Sequence, residues 1–107
     1  LLIAADVGCL EALEILQKNG STVHEADNNG TTVLMAAAQG NHGDCLKFLL
    51  TRGAHPQTKS KQGNTALHIA AYFGSLEVLK ILIENGSKVD DSNFSGTTPL
   101  MAAAQEN

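Results

Sequence analysis

The chain repeats itself at an interval of 33 residues. Gly30, Gly63 and Gly96 form one series, and Thr32, Thr65 and Thr98 another. Leu34, Leu67 and Leu100, then Ala37, Ala70 and Ala103, then Gly20, Gly53 and Gly86 keep the same spacing without an insertion. A fixed period of this length marks a stacked array in which each unit buries its apolar face only against its neighbours. Such a chain has no single pocket by default, and its function is to be sought on a continuous surface.

The residues within one period predict two helices. In segments 11–18, 44–52 and 77–85 the apolar residues are nearly continuous, with Cys45, Leu46, Phe48, Leu49 and Leu50 matching Val78, Leu79, Ile81, Leu82 and Ile83. A helix apolar over most of its circumference is flanked on several sides. Leu79 repeats Leu13 and Leu46 and is expected in the core between units. The preceding segments are short and rich in alanine (36–38, 70–71 and 102–104), which favours helix and allows close approach. Gly30, Gly63 and Gly96 supply residues tolerant of positive φ for a tight turn. The threonine two positions later is suited to cap the helix that follows, and Gly20, Gly53 and Gly86 fit the helix stop. The predicted unit is helix, turn, helix and a protruding turn.

The stretch Gly63-Asn64-Thr65-Ala66-Leu67-His68-Ile69-Ala70-Ala71, followed by Gly74, the apolar run 79–83 and Gly86, resembles the ankyrin repeat, whose core is Thr-Pro-Leu-His-x-Ala. Thr98-Pro99-Leu100 completes the first half of that core, and Gly53-Ala54 resembles the turn after the second helix. The resemblance covers the whole chain: residues 1–26 as a unit lacking its beginning, 27–59 and 60–92 as complete units, and 93–107 as the first half of another. It implies an all-α solenoid of stacked helix-turn-helix repeats with protruding β-turn loops. It also implies that His68 bonds the threonine of its own repeat and neighbouring backbone, a slot that Met35 and Met101 fill elsewhere.

At 107 residues the sequence is one domain's worth of chain. Its net charge of -4 is mild, and its lysines and arginine are spread out, so no basic cluster suits a phosphate backbone and nucleic acid is not an expected partner. The longest apolar run, 33–38, is far too short to cross a bilayer. Residues 1–5 lack a preceding basic stretch and read as part of a helix whose start is left out, rather than as a signal peptide. Cys9 and Cys45 occupy non-equivalent positions, and Cys45 stands in the core slot of Val78 and Ala12. A buried thiol of this kind fits an intracellular setting, cytoplasmic or nuclear.

The chemistry-bearing residues assemble no catalytic constellation. His42 and Cys45 have the spacing of two ligands on one helical turn, but zinc needs three or four and no matching pair exists in the neighbouring units. Ser21 and Ser87 follow turns, without a histidine and carboxylate placed as in a triad. No glycine-rich phosphate loop occurs, and Asp90-Asp91 reads as a solvated pair at a turn. No enzyme activity, cofactor or metal is expected.

In the family that the sequence resembles, partners bind along the turn tips and the exposed face of the first helices. Carried over by position, the tips are Asn28, Asn29 and Thr31, then Lys61, Gln62 and Asn64, then Phe94, Ser95 and Thr97. The helix positions are Asp6 and Val7, Gln39 and Gly40, Tyr72 and Phe73, and Gln105 and Glu106. Tyr72, Phe73 and Phe94 are three of the chain's four aromatic residues. They read either as one apolar binding patch, aromatic anchors being usual hot-spot material, or as cover for the alanine-rich helix beside them. Lys59 and Lys61 would flank that patch. Charge alternates along the row, from Glu25 and Asp27 through Lys59 and Lys61 to Asp90 and Asp91. Such alternation fits weak pairs between neighbouring tips or register for a partner of mixed charge.

The expected function is a non-catalytic scaffold that binds another protein or peptide along its concave groove. The alternative is an architectural spacer or regulatory segment of a larger multidomain protein. Self-association through uncapped ends is also expected, since natural arrays end in repeats with a polar outer face. Related repeats are hydroxylated on an asparagine after the second helix, and the matching slots here hold His24, Gln57 and Asp90, which speaks against that modification.

Overall fold

A computed structural model describes Leu2 and residues 10–105. The expectations for Asp6, Val7, Glu106 and the apolar start of the chain lie outside the described residues.

Six helices follow one another among the described residues: α1 (Leu10–Lys18), α2 (Val33–Gln39), α3 (Gly43–Thr51), α4 (Ala66–Phe73), α5 (Leu76–Glu84) and α6 (Pro99–Gln105). They stack in two layers. The short alanine-rich helices α2, α4 and α6 lie one on the next, and α1, α3 and α5 do the same. The layers are joined where α2 packs on α3 and α4 on α5. Alanines at 36–38 and at 70–71 are buried, so the first layer packs through small side chains. The bulk of the core is leucine: Leu13, Leu46, Leu49 and Leu82 are completely buried. Burying one such side chain is worth about 1.5–3 kcal/mol relative to leaving it in water.

Each first helix starts at a threonine cap. Thr32 Oγ1 accepts the Met35 amide at 3.2 Å, and Thr98 Oγ1 accepts that of Met101 at 3.3 Å. At α4 the cap is reciprocal, since Thr65 Oγ1 accepts the His68 amide at 3.4 Å while His68 Nδ1 accepts the Thr65 amide at 3.2 Å. Helix stops use the left-handed region. Gly74 closes α4 at φ 67°, and Asn41, 33 residues earlier, takes φ 57° after α2. A non-glycine residue there is uncommon, asparagine being one of the few that tolerate it. Asn41 also accepts the Val78 amide at 3.2 Å through its Oδ1, binding one helical pair to the next.

Leu79 departs from the expectation. Leu13 and Leu46 are fully buried, but Leu79 is only half-buried against the core. Leu16 shows the reverse pattern, being 40% exposed where Leu49 and Leu82 are completely covered. The slot of Leu79 thus faces toward higher residue numbers and that of Leu16 toward lower ones. α5 and α1 each pack on α3 within their layer, and so each has one apolar flank beyond which no described helix of that layer lies. Ile83, 44% exposed, shares the flank of Leu79.

Candidate functional site

Three hairpins project beside the first helices, each ordered by one side chain. Asp27 Oδ1 accepts the amides of Asn29 and Thr31 at 2.9 and 3.0 Å. Asn93 Oδ1 accepts those of Ser95 and Thr97, both at 2.9 Å. Ser60 Oγ accepts the Asn64 amide at 3.3 Å and donates to Gln62 Oε1 at 3.2 Å. The backbone closes each turn, with the amides of Gly30, Gly63 and Gly96 donating to the carbonyls of Asp27, Ser60 and Asn93. All three glycines have φ between 75° and 82°, where glycine carries no steric penalty.

The hairpins are tied to one another in a row. The Lys61 amide donates to the Asn29 carbonyl and the Phe94 amide to the Gln62 carbonyl, each at 3.0 Å. The Lys59 ammonium lies 3.4 Å from the Asp91 carboxylate and 3.3 Å from the Ser92 carbonyl. The expected alternation of charge therefore produces a real pair, although its partial exposure places it among pairs worth at most about 1 kcal/mol. His68, almost fully buried, reaches from the α4 cap to the Thr97 carbonyl at 2.9 Å. A carbonyl partner requires Nε2 to carry the proton, which leaves Nδ1 as the acceptor for the Thr65 amide. His68 is a structural strut between neighbouring units.

Between α4, α6 and the last two hairpins lies a depression of about 320 Å³. Ile69, Tyr72, Phe73 and Ala102 supply apolar wall, and Asn64, Asn93, Thr97 and Gln105 supply polar rim. Tyr72 and Phe73 meet edge to face with ring centres 5.0 Å apart and stay 40% and 47% exposed, the arrangement favoured by the aromatic quadrupole. The described parts of α2, α4 and α6 carry no charged side chain. The acids Glu11, Glu14, Asp44, Glu77 and Glu84 all stand on the other layer.

Of the residues expected at a partner surface, the structure brings Asn64, Tyr72, Phe73, Thr97 and Gln105 together around this depression. Phe94 is not part of its wall. The ring is 72% exposed, lies against the backbone at Gly63 and has the Lys59 ammonium 5.9 Å from its centre. Lys61 and Gln62 are exposed on the same hairpin as Asn64, whereas Asn28, Asn29, Thr31 and Gln39 belong to the preceding hairpin and helix. Asn93 and Ile69 were not expected at the surface. Asn93 shares its slot with Asp27 and Ser60, three different residue types whose common property is a side-chain oxygen reaching the amide four positions on.

A second hollow of about 290 Å³ is lined by Val23, His24, Leu34, Ala54 and His55 among others, with the two imidazoles stacked 4.9 Å apart. Cys45 is buried in the core. Among the described residues no three histidine, cysteine, aspartate or glutamate side chains gather as metal ligands, and no helix is long and apolar enough to cross a membrane.

The family model described as ankyrin repeats (3 copies) matches the chain over residues 1–93 and 54–107. No curated protein matches it.

Proposed function

The chain belongs to the ankyrin repeat family, whose members are generally protein–protein interaction modules, and we propose that it binds a partner protein or peptide along the groove formed by its hairpins and first helices. The observation that carries this reading is the depression beside Tyr72 and Phe73. Two aromatic rings are held half-exposed on a layer whose helices are otherwise alanine-rich and uncharged. Keeping rings in water has no benefit for folding, whereas rings at the centre of an interface are typical binding anchors. The row of hairpins adds side chains at fixed spacing, because amide-to-carbonyl bonds lock each hairpin to the next. Phe94 extends the surface along that row. Lys59 and Lys61 flank it and should affect association rate and salt dependence more than lifetime.

The test replaces Tyr72, Phe73 and Phe94 by alanine together and measures affinity for a captured partner beside circular dichroism. Truncation of a true anchor costs about 2 kcal/mol or more, so binding should be lost while the helical signal stays. Unchanged affinity in a folded variant moves the site elsewhere.

A further inference from the structure

We infer that the depression between α4 and α6 accepts an acidic peptide, with an apolar side chain against Tyr72 and Phe73 and the neighbouring carboxylate on the Asn64 amide. This rests on the reading of that surface as a protein-binding groove and assigns its partner's chemistry.

The orientation of two carboxamides decides it. Asn93 Oδ1 already accepts two backbone amides of its own hairpin, from Ser95 and Thr97. Its nitrogen must therefore point outward, and it donates to Asn64 Oδ1 at 2.8 Å. That bond fixes Asn64 in turn, so its Nδ2, a pure donor, is the polar group left to the groove. Thr97 offers no carbonyl in exchange, because both the Asn93 backbone amide and His68 Nε2 donate to it at 2.9 Å. One end of the depression thus presents N–H groups and wants an acceptor.

Charge points the same way. None of the side chains around the depression is a carboxylate, and the described parts of α2, α4 and α6 bear no acid to repel one. Lys61 is exposed on the hairpin that ends in Asn64 and forms no ion pair among the described residues. A hydrogen bond from Asn64 to a charged acceptor is roughly twice as strong as one to a neutral acceptor. The hollow, about 320 Å³, is at the small end of ligand sites, which suits a side chain or two of a peptide strand.

The test selects binders from random peptides displayed on phage against the folded chain. Synthetic copies are then compared with versions in which each Asp is Asn and each Glu is Gln. The recovered peptides should pair an apolar residue with an adjacent acid, lose binding to a Tyr72→Ala/Phe73→Ala chain, and weaken about tenfold on amidation, the loss of one charge-assisted bond. Asn64→Asp keeps the oxygen that accepts from Asn93 but turns the donor into a negative acceptor. It should melt with the wild type and bind the acidic peptides about tenfold less tightly or worse. Peptides that need Tyr72 and Phe73 but show no preference for acid would overturn this inference and leave the groove standing. Recovery of no peptide that depends on those rings would overturn both. The amidated peptides decide the matter even if Asn64→Asp does not fold.

Discussion

The imidazole of His68 bridges two repeats, its Nδ1 on the Thr65 amide at 3.2 Å and its Nε2 on the Thr97 carbonyl at 2.9 Å. Met35 and Met101 occupy the same slot 33 residues away on either side, so methionine fits the local space while making neither bond. His68→Met should therefore cost about 1–3 kcal/mol, the range for stranding part-buried polar groups and losing a reciprocal cap. Chemical denaturation measures it. A neutral result would mean that the hairpin at Thr97 is held by its own turn alone.

The three hairpin glycines should not respond alike. All have positive φ, which charges alanine about 1–2 kcal/mol. A Cβ on Gly96 meets nothing within 4 Å, and one on Gly30 meets backbone at 3.2 Å. On Gly63 it would lie 2.7 Å from the Phe94 amide nitrogen, which is itself held by Gln62. Gly63→Ala should be the most destabilising, Gly96→Ala the least, and melting temperatures of the three variants give the order.

Leu46→Ala should cost about 2–5 kcal/mol, as for other fully buried leucines. Leu79→Ala should cost less, because part of that side chain is already in water. Equal losses in urea titrations would mean that the flank of Leu79 is covered in solution.

How far the sequence could be read follows from which residues act alone. The period located the threonine caps and the glycines of positive φ, since each role is local and tied to one residue type. Asn41 standing in for Gly74, and Asp27, Ser60 and Asn93 sharing one role, escaped a comparison of identities because different side chains supply the same geometry or the same oxygen. The half-exposure of Leu79 was hidden for a different reason: a leucine's burial depends on what packs against its helix, which its own slot does not encode. At the surface, Tyr72 and Phe73 were found by aromaticity. The role of Asn64 required the bond from Asn93 to be seen.

The open apolar flank has a consequence in solution. Leu100 is 80% exposed and Met101 52% on α6, and Ile83 is 44% exposed on α5. We expect this 107-residue chain to self-associate as its concentration rises, large exposed apolar patches being sites of association. Light scattering should show a growing mass that Leu100→Gln reduces. A monomer of constant mass at high concentration would contradict this.

The central claim is that partners bind on the first-helix layer beside the hairpins. Backbone amide shifts of the isotope-labelled chain, recorded while a groove-selected peptide is added, test it most directly. The account predicts that changes concentrate at residues 61–64, 69–73 and 93–105, with the outer faces of α3 and α5 unmoved. Changes centred on Asp44, Lys47, Glu77 and Lys80 would place the interface on the opposite layer and contradict it.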